Sequence, residues 1–229
     1  MQVFIAIDIS DKAKKEVEKL YKILKRKHWK VRLEPIEKLH LTLVFFGNIG
    51  RKNIKGEKVQ SSKCKVQSYS LKFKMREIRD CVKRAVKEIK PFKISFKGLG
   101  CFPDYDYPRV IWLGLKGDLK SLARLQKQIL SYLTRDRQLN KIINKSKHKH
   151  RFSAHITLGR IKKARIKERR EIGRQIKKFK KFKSLKFKTF SELKMVVDRV
   201  VVYESKLSKT GSKYIKLAGI SLCISLVNY

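Results

Sequence analysis

Two stretches of the chain pair an imidazole with a hydroxyl inside otherwise apolar runs. "KLHLTLVFFGN" covers residues 38–48 and "SAHITLGRI" residues 153–161. Both contain His-x-Thr-Leu, at residues 40–43 and again, 115 residues later, at residues 155–158. Each run reads as a buried strand, and side chains along a strand alternate faces with period two. His40 and Thr42 therefore share one face, with Leu41, Leu43 and Phe45 on the other. His155 and Thr157 pair likewise, backed by Ile156 and Leu158. One such motif says little, because a lone strand histidine is more often a packed core residue. Two copies, each in its own half of the chain, point to a shared site. Strands lying side by side would aim two imidazoles and two hydroxyls into one cleft.

Two imidazoles suit phosphodiester hydrolysis. Imidazole titrates near neutral pH, so one ring can take a proton from water while the other, protonated, gives one to the leaving alcohol. Threonine hydroxyls can donate to the non-bridging phosphate oxygens as charge builds there. A cyclic ribose phosphate is strained, so this chemistry can succeed without a metal. No carboxylate-rich cluster lies near either motif, which argues against a two-metal nuclease. No cofactor is expected.

The motifs resemble those of the 2H phosphoesterase superfamily, and most of the chain is similar to its RNA 2′,3′-cyclic phosphodiesterase branch, also described as 2′-5′ RNA ligase. "VFIAIDIS", "KLHLTLVFFGN", "FKGLGCFP", "PRVIWLGL", "FSAHITLGRIK" and "VVVYESKLSKTGSKY" carry the resemblance, in that order. It implies an α+β fold, a single bilobal domain over residues 1–229 with an antiparallel-rich sheet and packed helices in each lobe around a central cleft. By the same resemblance His40 is the general acid, His155 the general base, and Thr42 and Thr157 bind the phosphate. The implied reaction opens a 2′,3′-cyclic phosphate to a 2′-phosphomonoester. The ligase activity of the same branch joins a cyclic-phosphate end to a 5′-hydroxyl end through a 2′-5′ bond. The chain departs from the family pattern in a longer segment after the first motif and in a heavier basic load. Two alternatives stay open at this point: a basic RNA-binding protein without catalysis, and the same chemistry directed at small cyclic nucleotides.

Apolar spacing locates the elements that must hold these strands. Residues 3–9 form an apolar run, and Ser10 then offers a cap to a helix with Val17, Leu20, Tyr21 and Leu24 on one face. Residues 31–33 read as a short strand ended by Pro35. Residues 50–74 are polar, basic and weakly patterned, a loop or insertion. Met75, Ile78, Val82, Ala85, Val86 and Ile89 give a second helix stopped by Pro91. Strands follow at residues 92–96 and 110–115, then a third helix marked by Leu119, Leu122, Leu125, Ile129 and Leu133. Residues 160–183 are intensely basic and partly helical, with Ile172, Ile176 and Phe179 as an apolar stripe. Strands at residues 185–187, 195–203 and 214–222 close the chain.

Charge names the class of partner. Sixty Lys and Arg against nineteen Asp and Glu give +41 in 229 residues, a field that favours polyanions, nucleic acid first. The expected partner is RNA with 2′,3′-cyclic phosphate ends, tRNA fragments among the candidates. Thermal adaptation alone would raise Glu alongside Lys, and Glu is scarce. The four cysteines show neither a C-x-x-C pair nor metal-finger spacing. The opening residues lack the basic leader of a signal peptide, and the apolar tail is too short to span a bilayer. A soluble, cytoplasmic monomer is therefore the expectation, with no membrane partner. Arg160, two residues after the second motif, is a further candidate for phosphate contact; Arg109 ranks below it. Phe46 and Phe102 read as packing residues rather than base-stacking ones. His148 and His150 sit among lysines that would repel a cation.

Overall fold

The computed structural model describes residues 2–49, 62–145, 152–179, 192–208 and 211–223. Among them the strands are β1 (Gln2–Asp8), β2 (Val31–Leu33), β3 (His40–Asn48), β4 (Phe92–Phe102), β5 (Val110–Gly117), β6 (His155–Ile161), β7 (Lys194–Val197), β8 (Arg199–Ser208) and β9 (Gly211–Ser221). The helices are α1 (Asp11–Lys25), α2 (Ser62–Val86), α3 (Leu119–Arg135), α4 (Arg137–Lys145) and α5 (Ile166–Lys178). Polar caps start helices α1 and α3 where their apolar stripes begin. Ser10 Oγ accepts from the Ala13 amide at 3.3 Å and Asp118 Oδ1 from the Ser121 amide at 2.9 Å. Val17, Leu20, Tyr21 and Leu24 of α1 are buried, as are Leu122, Leu125, Ile129 and Leu133 of α3.

These strands join one antiparallel sheet in the order β7-β4-β5-β6-β3-β1-β8-β9, with β2 paired to β6 beside β3. The expected two sheets are thus two four-stranded halves of one sheet, each with its motif strand at the inner edge. The seam between them is narrow: β3 and β6 pair at a single register point, Leu41 opposite Ile156. Both residues are fully buried in the main core, which packs the sheet against the helices. A smaller apolar cluster of Phe4, Ala6, Val201 and Tyr203, covered by Tyr214, forms separately from it.

Three expectations change. Residues 62–74 are not loop: α2 reaches back to Ser62. No Gly or Pro interrupts residues 62–86, and Lys, Gln, Leu and Met propagate a helix whose apolar stripe is weak. Residues 50–61 lie outside the described residues, as do 180–183 and the strand expected at 185–187. The strand expected over 195–203 is two strands, broken at Asp198. Helix α4 adds to the expected elements; Asp136 caps it, Oδ1 accepting from the Gln138 and Leu139 amides at 2.8 Å.

Candidate active site

The seam decides the geometry. With Leu41 opposite Ile156 in antiparallel register, His40 lies across from Thr157 and Thr42 across from His155. The two histidines are then diagonal neighbours, with Cα atoms about 7–8 Å apart. Leu41 and Ile156 fill the core side, so all four polar side chains belong to the other face. A local two-fold relation through the Leu41–Ile156 pair makes each His-Thr couple the counterpart of the other.

Each imidazole is oriented the same way. His40 Nδ1 lies 2.7 Å from the Lys38 carbonyl, and His155 Nδ1 lies 2.7 Å from the Ser153 carbonyl. A carbonyl only accepts, so Nδ1 carries the proton in both rings. That leaves Nε2 as the atom able to take or give a proton. Burial pushes both imidazoles below their ordinary value, and the carbonyl bond pulls each partly back. Asp8 and Glu34 further raise His40, and His155 lowers it, so His40 senses the charge of the other ring.

Both motif strands then break their alternation at the same place. On β3, Ala6 faces Thr42 while Ile5 faces Val44, so Leu43 is an inserted residue. On β6, Trp112 faces Thr157 while Ile111 faces Gly159, so Leu158 is inserted. Such a bulge re-aims the side chains beyond it. Phe45 and Arg160, each three residues past its threonine, therefore turn to the cleft. Strict alternation puts Phe45 with the core anchors; in the fold it is 38% exposed, and Phe46 is buried instead. Arg160 lies at the cleft, its Nε 3.8 Å from Glu34 Oε1.

These residues line a cleft of about 290 Å³. Its walls include His40, Thr42, Thr157, Phe45 and Arg160, with Tyr214 of β9 and the polar side chains of Gln2, Ser205 and Ser212. His155 stands on the far side of the seam against Phe102, ring centroids 4.9 Å apart and edge to face, with Trp112 beyond at 6.3 Å. His40 stacks on Phe4 at 4.8 Å and meets Tyr214 edge to face at 5.5 Å. Phe102 thus packs at the edge of the site, against His155. Arg109 instead packs its guanidinium 5.0 Å over Tyr107, which Arg169 also covers at 4.9 Å. His148 and His150 lie outside the described residues. Among the described residues no group of three or more His, Cys, Asp and Glu comes together that could hold a metal ion, and no helix is long and apolar enough to cross a membrane.

Sequence reasoning does not reach Phe45, Tyr214, Asp8 or Glu34. A bulge leaves no mark in the apolar pattern, so Phe45 cannot be told from Phe46. Asp8 does carry a signal, a lone carboxylate at the end of an apolar strand.

A sheet of two related halves with a His-x-Thr strand from each meeting at the seam is the architecture of the 2H phosphoesterases. Within that class, residues 3–221 match the family model described as the AKAP7 2′5′ RNA ligase-like domain, and the chain belongs to this family. It is 30% identical over 165 residues to the RNA 2′,3′-cyclic phosphodiesterase of Archaeoglobus fulgidus, covering 71% of this chain and 74% of that protein. It is 27% identical over 218 residues to the protein of the same name from Methanocaldococcus jannaschii, covering 93% and 96%. The crystal structure of TT0787 from Thermus thermophilus superposes with a TM-score of 0.64 at 19% identity, covering 97% of this chain and 98% of that one. The chain is an enzyme of the cyclic phosphodiesterase class.

Proposed function

We propose that the enzyme opens the terminal 2′,3′-cyclic phosphate of RNA to a 2′-phosphomonoester without a metal. The two halves act as one bilobal unit, each supplying one His-Thr couple. His155 Nε2 takes a proton from a water, whose oxygen attacks phosphorus. The bond from phosphorus to O3′ breaks, and His40 Nε2 gives its proton to that oxygen. Thr42 and Thr157 donate to the non-bridging oxygens, and Arg160 adds a positive charge at the cleft edge. Phe45 and Tyr214 offer faces for the terminal base. With a 5′-hydroxyl in place of water as the nucleophile, the same groups join a cyclic-phosphate end to that hydroxyl through a 2′-5′ bond, again breaking the bond from phosphorus to O3′.

The observation that carries this reading is the Leu41–Ile156 register, which sets two identically tethered imidazoles on one diagonal. The charge of +41 supports RNA as the polymer, as does the substrate named for the archaeal relatives. Burial lowers both imidazoles, but only His40 has carboxylates, Asp8 and Glu34, that partly restore its charged form, which supports it as the acid. The test is a short RNA ending in a 2′,3′-cyclic phosphate, incubated in EDTA and assayed for 2′- and 3′-phosphate ends and for joined strands. A 2′-phosphate end is expected. An intact end with wild-type protein, or full activity in both His40→Ala and His155→Ala, would sink the reading.

A further inference from the structure

A second cavity, of about 270 Å³, adjoins the cleft. The two share Lys38, His40 and Tyr214, so they meet across the His40 imidazole. Beyond that shared wall the second cavity is lined by Asp8, Glu37, Tyr203, Lys213 and Lys216. Its charges do not cancel. Asp8 is engaged twice, by the Tyr203 hydroxyl at 2.5 Å and by Lys216 Nζ at 2.8 Å. Among the described residues neither Lys38 nor Lys213 has an ion-pair partner. The lining thus holds three lysines against two carboxylates, and of those Asp8 is already engaged by Lys216 while Glu37 is exposed. Lys38 is also tied to the reacting ring, because its own carbonyl accepts from His40 Nδ1. An anion held by its side chain is registered against the imidazole.

We infer that this lysine-lined cavity is a subsite for the RNA backbone phosphate on the 5′ side of the terminal nucleotide. The inference rests on the cyclic-phosphate reading of the main cleft. The cyclic phosphate occupies O2′ and O3′ of the last ribose, so the strand leaves through its O5′. The 5′-phosphate on that oxygen is then a ribose away from the cyclic one, close enough to reach the adjoining cavity past Tyr214. Its lining includes Lys38 and Lys213, neither with an ion-pair partner among the described residues. Charge-assisted contacts of this kind strengthen binding and make it salt-dependent. The subsite gives the enzyme a preference for strands over cyclic mononucleotides.

The test uses unreactive product analogues, so that binding is read apart from turnover. Adenosine 2′-monophosphate and adenosine 2′,5′-bisphosphate are titrated by calorimetry at low and high salt. The added 5′-phosphate is expected to tighten the dissociation constant about tenfold at low salt. That factor should fall to about twofold in Lys213→Gln and shrink in salt, while Lys120→Gln on α3 keeps it. Equal affinities for the two ligands in wild type, or an undiminished factor in Lys213→Gln, overturn the inference. A dinucleotide ligand that binds tightly while the bisphosphate gains nothing also overturns it, since a nucleoside rather than a phosphate would then fill the cavity. Turnover of the cyclic-phosphate RNA is scored separately. Its absence with the bisphosphate factor intact fails the reading of the main cleft and leaves the phosphate subsite standing.

Discussion

The two halves of the sheet carry the same motif in different company. Each presents His, Thr and a bulge-turned residue at matched positions, and each tethers its imidazole to the carbonyl two residues back. The neighbours differ. The residue across from His40 is Asp8, while the residue across from His155 is Gly114. The bulge delivers Phe45 in one half and Arg160 in the other. His40 has Phe4, Tyr203 and Tyr214 around it; His155 has Phe102 and Trp112. Duplicated strands thus supply a pair of imidazoles, and the strands beside them make the pair unequal. Acid-base catalysis needs that inequality, because two imidazoles in the same state cannot both give and take.

The largest effect should come from removing either histidine. His40→Ala and His155→Ala are each expected to lower kcat by about 10³-fold. The double variant should be little worse than either single one, because the two rings act as one unit. Single-turnover kinetics on a cyclic-phosphate RNA read this directly. Losses that multiply would show the halves working independently.

Gly100 of β4 allows the second half to be disturbed alone. An added Cβ at Gly100 would fall on the Trp112 ring, which lies over this glycine. Trp112 pairs with Thr157 and stands 6.3 Å from His155, so Gly100→Ala must displace the support of that imidazole and leave the His40 side untouched. The expected outcome is a fall in kcat of about tenfold or more, since a small misplacement of a catalytic group is costly. Melting temperature should drop as well, from overpacking. An unchanged kcat would mean that Trp112 does not position His155.

Much of the site is legible in the sequence, and the reason is local. His40, Thr42, His155 and Thr157 sit on uninterrupted alternation ahead of the bulge, so period two assigns their face. Arg160 is reached by its proximity to the motif. The seam is not legible, because a single register point between strands 115 residues apart leaves no trace in either strand. Phe45 falls on the wrong face because an inserted residue is invisible in an all-apolar run. The start of α2 escapes for the opposite reason: its first turns are polar, and polar helices carry little periodicity.

Phe45 and Phe46 turn that difference into a smaller test. Phe46→Ala empties a fully buried site and should cost about 3–5 kcal/mol of stability. Phe45→Ala should leave stability near wild type and raise KM about tenfold, the size expected for one lost base stack. Chemical denaturation and steady-state kinetics on the same pair separate the two. Reversed outcomes would place the bulge elsewhere on β3.

The smallest effect is the most informative about roles. The kcat/KM profile should be bell-shaped and centred below the ordinary imidazole value of 6.5, because burial lowers both rings. Activity needs one ring protonated and the other neutral. It is lost as pH falls far enough to protonate both, and lost again as pH rises far enough to deprotonate both. Between the limbs, the single proton is shared according to the two rings' relative affinities. Asp8→Asn keeps the size of the side chain and an acceptor for Tyr203 but removes a charge that raises His40. The proton then moves from His40 toward His155. With His40 as acid, the active microstate becomes rarer and the maximum of kcat/KM falls. With the roles exchanged, the same substitution makes the active microstate commoner and the maximum rises. A pH profile of this one variant therefore reads the direction of proton flow across the seam, which the near-symmetry of the two motifs otherwise conceals.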